Sequence, residues 1–138
     1  MTEVSPELAF QSLSDSELRR QWDHRMADVQ TLAKEGDVET KCYVVKSTIP
    51  MVANRDVLVR QESARDPCGP GTFAYAFSSC EHEGWEPKPG HVVASNHFTG
   101  YKFSPAPEVN GTWMEWIQNL DVNGSIPAFV FRYAGEQM

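Results

Sequence analysis

The sequence has few cysteines and no excess of basic residues. Its three cysteines, Cys42, Cys68 and Cys80, are an odd number without CxxC spacing. That pattern favours reduced thiols over a disulfide framework. Nineteen acidic residues against twelve basic ones give a formal charge of -7. Such a charge opposes attraction to nucleic acids and to anionic membrane surfaces, so we expect no nucleic-acid partner.

Long hydrophobic runs are also missing. The hydrophobic content of 41% is that of a folded globular chain, and the charged residues, 22% of the total, interrupt the apolar stretches too often for a membrane span. The first ten residues, MTEVSPELAF, contain neither the basic nor the apolar region of a secretory signal. The sequence therefore predicts a single domain over residues 1–138 with a cytoplasmic location.

Sequence motifs for catalysis and metal binding are lacking as well. In CEHE, a strand would send Cys80 and His82 to one face and Glu81 and Glu83 to the other, so only two ligands could converge. The sequence contains neither a GxSxG nucleophile motif nor a phosphate-binding glycine loop. We therefore expect no enzymatic activity, no metal and no other cofactor.

The patterns that are present predict an α+β domain. Residues 14–29 begin with a capping box and continue with apolar residues at helical spacing, which predicts a helix whose core stripe is Leu18, Trp22, Met26 and Val29. Strand-like segments then follow with connections too short for crossover helices, which predicts an antiparallel sheet from residues 38–48, 55–62, 71–83, 90–103 and 111–121. Ser125 and Pro127 begin a second, C-terminal helix.

One predicted strand has a strongly aromatic face. In TFAYAFSS, the alternation of side chains places Phe73, Tyr75 and Phe77 together. Such a face either fills a solid core or lines a pocket whose few polar groups orient an apolar ligand. The sequence leaves both interpretations open.

Two other strands place polar residues beside apolar ones. In TWMEWIQNLD, Met114 and Trp116 share a face with Gln118, which would need a hydrogen-bonding partner if buried. In RDVLVR, Leu58 shares a face with Arg60. The arginine either points inward, where it must be paired or hydrated, or points to solvent with its stem on the surface.

Four segments, in this order, resemble the START domains, the steroidogenic acute regulatory protein-related lipid-transfer domains. SDSELRRQWD is similar to a family helix ending in Arg-x-x-Trp-Asp, and IPMVANRDVLVR to a loop and strand with Pro, Asn-Arg-Asp and a later Arg. SSCEHEGWEPKPGHVVAS is similar to a Ser-x-x-His segment that leads through Pro and Gly into the next strand, and LDVNGSIPAFVF to an Asp-x-x-Gly-x-x-Pro start of the C-terminal helix. The resemblance implies a helix-grip fold, in which a curved antiparallel sheet wraps the C-terminal helix and one lipid lies in the tunnel between them.

The resemblance also implies site residues. Arg60 matches an arginine that lies inside the tunnel in some members, with Glu39 as its candidate acidic partner, and Phe77 and Trp116 match strand positions that face lipid. The implied lipid-binding residues are Leu58, Arg60, Phe73, Tyr75, Phe77, Met114, Trp116, Gln118, Phe129, Val130 and Tyr133. The implied gate loop beside the tunnel mouth contains Ile49, Pro50, Met51 and Val52.

The chain departs from the family pattern in two respects. Val93 replaces the family's arginine near the start of the strand after Pro-Gly, and the predicted helix at residues 14–29 matches a position well inside the family domain. The preceding helix and first strands are therefore expected to be absent, so that further residues or a second chain, in a homodimer for example, would complete the sheet.

The function that follows is lipid binding. We expect one sterol or phospholipid to be held in an internal tunnel and transferred between membranes during transient membrane contact. The alternative is a regulatory or scaffold module that does not transfer lipid and binds a protein partner or a second copy. A third interpretation, an enzyme of the wider helix-grip superfamily, would need an acid or base in the tunnel.

Overall fold

Two short helices lead into a seven-stranded sheet in the computed structural model, which describes residues 4–47 and 51–123. A single 3-10 turn, Pro107–Val109, lies among these residues before the last described strand. The helices and strands are α1 (Pro6–Ser14), α2 (Ser16–Trp22), β1 (Met26–Glu35), β2 (Val38–Val45), β3 (Arg55–Arg65), β4 (Phe73–Ser79), β5 (Val92–Val93), β6 (Ser95–Ala106) and β7 (Gly111–Asp121).

The sheet is a curved, largely antiparallel layer with the strand order β1-β2-β3-β4-β6-β7. Short β5 pairs with β3 in the parallel direction, so that Arg55 lies beside Val92. The predicted antiparallel sheet is confirmed, and each of the predicted strand segments contributes to it. The predicted C-terminal helix lies outside the described residues.

The prediction of one helix over residues 14–29 was wrong. Ser14 ends α1, and Asp15 begins α2 because its carboxylate accepts hydrogen bonds from the backbone N–H groups of Glu17 and Leu18. The helix ends at Trp22, and Met26 already belongs to β1. Apolar spacing suits a helix through Met26. Instead, β1 pairs with β2 from Met26 to Glu35, which satisfies the backbone groups of β1 that face β2.

The predicted core stripe of that helix is only partly buried. Val29 belongs to the core and Met26 packs against it, but both residues lie on strand β1 and not on a helix. Leu18 and Trp22 are exposed, and the Trp22 indole donates to the Ser12 carbonyl at 3.1 Å. The core instead receives Phe10 from α1, a helix that the sequence analysis did not predict. Its signal was present, since Ser5 caps the helix and Pro6 occupies its first turn.

The two faces of the sheet have different environments. The inner face, on the side of α1 and α2, carries the core, which includes Tyr43, Val57, Val59 and Tyr75. On the outer face, the buried Asp56 carboxylate accepts hydrogen bonds from the Lys88 backbone N–H at 2.6 Å and contacts His91 Nδ1 at 2.7 Å. These contacts hold the loop that precedes β5 against the outer face.

The CEHE segment does not extend β4. The strand ends at Ser79, and residues 80–83 form the start of the loop. The prediction that these four residues alternate across a strand was therefore wrong. The Cys80 N–H donates to the Leu58 carbonyl at 3.2 Å. Among the described residues, backbone hydrogen bonding between this segment and β3 ends with that contact.

Candidate functional site

A row of stacked aromatic rings crosses the inner face. Tyr75 on β4, Tyr101 on β6 and Trp116 on β7 are neighbours in the strand register. The Tyr75 and Tyr101 ring centroids are 4.8 Å apart at an interplanar angle of 8°, and those of Tyr101 and Trp116 are 5.8 Å apart at 6°. Burial along the row changes from Tyr75, which is 2% exposed, to Trp116, which is 52% exposed. The row thus forms an apolar wall with a free surface at its β7 end.

Helix α1 covers one end of this aromatic wall. The Phe10 ring stacks on Phe73 at a centroid distance of 5.4 Å and meets Phe103 edge-on at 6.2 Å. All three side chains are buried. At this end of the inner face, the solid-core interpretation of the aromatic strand is therefore the right one.

Helix α2 places a charged pair above the aromatic row. Arg19 Nε donates to Asp23 Oδ2 at 3.2 Å, and both side chains are largely buried. Burial alone would lower the pKa of Arg19, but the Tyr75 and Tyr101 hydroxyls and the Asp23 carboxylate raise it above its ordinary value. Arg19 therefore remains a cation directed at the tyrosine hydroxyls of the inner face.

The Tyr75 hydroxyl is a buried donor without a partner among the described residues. Burial raises the pKa of Tyr75 far above its ordinary value, so the hydroxyl stays protonated. The Arg19 guanidinium lowers this pKa against the effect of burial, both by its charge and by a polar contact with the hydroxyl, but that contact falls short of good hydrogen-bond geometry. A buried polar group of this kind is costly when unpaired, and a ligand oxygen would satisfy it.

A cavity of about 100 Å³ lies beyond the aromatic row, where α1 no longer covers the sheet. The Tyr43 ring and Phe77 supply apolar surface, and Asn96 and Gln118 supply amide groups. A register irregularity between Asn96 and Phe98 lets Asn96 and Thr99 share the inner face, where Asn96 Nδ2 donates to Thr99 Oγ1 at 2.8 Å. The cavity therefore combines an apolar lining with a few fixed polar groups, one of which is Arg19.

The structure places Arg60 on the outer face, so the prediction of an inward side chain was wrong. Its side chain is 58% exposed and meets Glu62 Oε1 at 3.3 Å. Glu39 pairs instead with Lys41 Nζ at 2.9 Å and is not the partner of Arg60. Leu58 is buried, but on the outer side of β3, because its neighbours Val57 and Val59 form the inner core. Among the described residues, the arginine that lines the cavity on the inner face is Arg19.

The other predicted site residues within the described chain lie on the inner side. Phe73 and Tyr75 belong to the packed core, and Phe77 lines the cavity. Met114 and Trp116 are about half exposed on the same side, in register with Phe103 and Tyr101. Gln118 lines the cavity.

The remaining predicted residues belong to the predicted gate loop and the C-terminal segment. Met51 is 95% exposed, and Val52 is partly buried. Ile49, Pro50, Phe129, Val130 and Tyr133 lie outside the described residues.

Arg19, Asp23 and Tyr43 were not predicted as site residues from the sequence. A signal for the first two was available, because residues four apart on a helix can form an ion pair and both belong to the Arg-x-x-Trp-Asp segment. For Tyr43, the alternation of β2 shows which residues share its face, but only the packed structure shows that this face is the inner one.

Two general properties bear on the class of protein. No helix within residues 4–47 and 51–123 is long and apolar enough to cross a membrane. The same residues contain no cluster of three or more His, Cys, Asp or Glu side chains that could hold a metal ion.

Comparison with solved structures shows the same fold in several proteins. Human STARD10 superimposes with a TM-score of 0.81 at 21% identity, covering 97% of this chain and 53% of its own. The human StarD13 (DLC2) lipid transfer and protein localization domain gives 0.81 at 20% identity, covering 99% of this chain and 66% of its own. Human StAR-related lipid transfer protein 5 gives 0.82 at 20% identity, covering 99% and 65%.

This chain thus spans between about half and two thirds of the length of those structures. No curated protein sequence matches it. The START domain model matches residues 1–138, and the curved sheet with its N-terminal helices agrees with that match. The chain belongs to the START domain family.

Proposed function

We propose that residues 1–138 bind one lipid, a sterol or a phospholipid, against the inner face of the sheet and transfer it between membranes. The observation that carries this proposal is the buried Tyr75 hydroxyl beside Arg19 on an otherwise aromatic wall, for which residues 4–47 and 51–123 supply no well-formed hydrogen bond. A lipid supplies both parts of the matching ligand, an apolar body for the wall and an oxygen for the two donors. The proposal includes no chemical reaction.

The apolar part of the lipid supplies most of the binding free energy. Burying one methylene contributes about 0.8 kcal/mol, so a few methylenes already outweigh a single hydrogen bond. Trp116 and Met114 offer half-exposed apolar surface where an acyl chain or ring system would continue from the cavity. The described cavity of about 100 Å³ holds only a small part of such a ligand, so the body extends along this free surface.

The polar groups then select the head of the lipid. Arg19 is a largely buried cation that Asp23 neutralises in the absence of ligand, and a phosphate can accept from the same guanidinium. The Tyr75 hydroxyl and the Gln118 amide suit either a phosphate oxygen or a sterol hydroxyl. Arg19 therefore favours a phospholipid when both classes are available.

Release of the lipid requires the structure to open, and we propose the loop with Ile49–Val52 and the C-terminal segment with Phe129, Val130 and Tyr133 as the gate. The flanking residues support this choice. Asn54 Oδ1 accepts from the Ser47 N–H at 2.9 Å and so joins the two ends of the loop. Arg55 donates to the Ala53 carbonyl at 2.6 Å and to the Val122 carbonyl at 2.7 Å, which connects the loop with the chain that follows β7. Met51 offers an exposed apolar side chain for membrane contact.

Lipid extraction and a transfer assay test the proposal. Organic extraction of the purified protein followed by mass spectrometry should recover a stoichiometric sterol or phospholipid, and the protein should move a fluorescent lipid between donor and acceptor vesicles. Arg19→Leu should reduce transfer of a phospholipid, whereas Arg60→Leu on the outer face serves as the matched control. Absence of any extracted lipid together with no transfer of either lipid class would overturn the proposal.

One observation favours a second candidate function, a module that binds a second copy through β7. The outer backbone edge of β7 has no strand partner among the described residues, and Trp113 and Ile117 are exposed on it. Unpaired apolar edge strands recruit other strands. Native mass spectrometry separates the two functions, because a lipid-bound monomer supports transfer and a lipid-free dimer supports the module.

A further inference from the structure

A buried lysine lies on the inner face of the sheet, next to the junction of α1 and α2. Lys41 on β2 is 1% exposed, and its ammonium group has three acceptors. Nζ donates to the Ser14 carbonyl at 2.8 Å, to Glu39 Oε2 at 2.9 Å and to Gln61 Oε1 at 3.4 Å. Every donor of the ammonium group is therefore used, which is what allows a lysine to be buried here.

Gln61 on β3 extends this network in two directions. Its Nε2 donates to the same Ser14 carbonyl at 3.3 Å, and its Oε1 accepts from the Tyr43 hydroxyl at 3.2 Å. Both Gln61 and Tyr43 are buried. The Tyr43 hydroxyl is fixed by this contact, and the Tyr43 ring is also part of the cavity wall.

The Ser14 carbonyl is the point at which the two helices meet. Ser14 is the last residue of α1, and Asp15 is both the C-cap of α1 and the N-cap of α2. The Arg19 N–H donates to the Asp15 carbonyl at 2.9 Å, so the first turn of α2 places Arg19 relative to this junction. Holding Ser14 against β2 and β3 therefore sets the position of Arg19 above the tyrosines.

We propose that Lys41 and Gln61 are positioning residues for the lipid head. By fixing the Ser14 carbonyl and the Tyr43 hydroxyl, they hold α2 and the cavity wall in one arrangement, which gives the site its preference for phosphate-bearing lipids over uncharged ones. This inference rests on the lipid-binding function proposed above. Glu39, Asp15 and Arg19 are the charged groups that act on the Lys41 ammonium, and the repulsion from Arg19 is balanced by the two carboxylates.

Lys41→Met alters the network and leaves both the Ser14 carbonyl and the Glu39 carboxylate with a partner. In Lys41→Met, the Ser14 carbonyl keeps its bond from Gln61, and Glu39 keeps Lys34 Nζ at 3.6 Å. Removing one partner of a buried ion pair is costly when the other charge stays buried, but the Glu39 side chain is 21% exposed, so water can hydrate its carboxylate in this variant. Lys34→Met is the matched control, because Lys34 pairs with the same carboxylate but is 66% exposed and has no contact with Ser14.

The test measures equilibrium affinity for lipids with and without a phosphate. The probes are NBD-labelled phosphatidylcholine and phosphatidic acid, which carry one, and dehydroergosterol, which does not. Lys41→Met and Gln61→Met should each weaken phospholipid binding about tenfold and change sterol binding by less than about twofold, a differential effect of about fivefold or more, which is about 1 kcal/mol. Lys34→Met should change neither.

The outcomes separate this inference from the function on which it rests. Wild-type protein that binds none of the probes overturns both. Wild-type binding with the same phospholipid-to-sterol preference in both network variants overturns the positioning role alone. Loss of all ligands in parallel with a fall in the unfolding midpoint also overturns it, because Lys41 and Gln61 would then be purely structural.

Discussion

Arg19 Nε and Asp23 Oδ2 are 3.2 Å apart, and the Asp23 side chain is only 6% exposed. The same carboxylate accepts from the Arg25 backbone N–H at 3.1 Å, just after α2 has ended. One acidic residue thus stops the helix, turns the chain into β1 and holds the arginine that lines the cavity. This relationship connects local folding to the proposed recognition of a lipid head.

The Arg19–Asp23 pair should make stability depend on acid pH. Burial opposes ionisation of Asp23, but the hydrogen bonds from Arg25 and Arg19 and their charges lower its pKa below the ordinary value of 3.8. This stabilisation is complete above the unfolded-state pKa and is lost as the pH falls through the lower folded-state pKa. Between about pH 5 and about pH 2, the free energy of unfolding of wild-type protein should fall more steeply than that of Asp23→Asn.

Urea denaturation at stepped pH measures both slopes. Asp28, whose pKa is lowered by its hydrogen bond with Lys88, is present in both proteins and cancels in the comparison. Identical slopes for the two proteins would contradict the role of the Asp23 carboxylate.

Tyr75→Phe should separate stability from ligand binding. Removing a buried hydroxyl that has no partner should leave the stability of the lipid-free protein unchanged or raise it by about 1 kcal/mol. Tyr43→Phe is the control, because its hydroxyl is bonded to Gln61, and we expect a loss of about 0.5–1.5 kcal/mol. Lipid affinity, measured with a fluorescent analogue, should fall in Tyr75→Phe, and an unchanged affinity together with a destabilised protein would refute this assignment.

Arg60→Leu should have little effect on either property. Arg60 and Glu62 form an exposed pair, and such pairs contribute between about 0 and 1 kcal/mol. We expect the free energy of unfolding to change by less than about 0.5 kcal/mol and lipid affinity to stay at the wild-type value. A large loss of lipid affinity, measured beside Arg19→Leu, would show that Arg60 reaches the ligand after all.

Arg55→Met should be among the most destabilising changes on β3. The buried guanidinium donates to the carbonyls of Ala53, Val122 and Asn123, at 2.6, 2.7 and 3.0 Å. Leaving these acceptors without donors should cost about 2–4 kcal/mol in thermal or urea unfolding. Arg65→Met is the control on the same strand, since Arg65 is exposed and pairs with Glu7, and it should cost less than about 1 kcal/mol. Equal losses in the two variants would contradict the proposed link between β3 and the chain after β7.

Strand alternation made part of the site predictable. The shared face of Phe73, Tyr75 and Phe77 follows from a side-chain period of two, and the structure confirms that this face is buried. The prediction of one helix over residues 14–29 failed because Leu18, Trp22 and Met26 have the spacing of a helical stripe, although Met26 belongs to strand β1. Backbone pairing of β1 with β2 decided between the two, and that pairing is a contact between distant residues.

By itself, the sequence determined the fold family, the antiparallel strands and the residues that share a face, because these follow from local spacing and ordered motifs. Only the tertiary structure decided which charged side chains enter the inner face. Arg60 and Lys41 both lie on strands with apolar neighbours, but Arg60 is exposed and Lys41 is buried. The physical reason is hydrogen bonding: besides its strand neighbour Glu39, Lys41 meets Ser14 of α1 and Gln61 of β3. These two partners are far from Lys41 in the chain, and only packing brings them together.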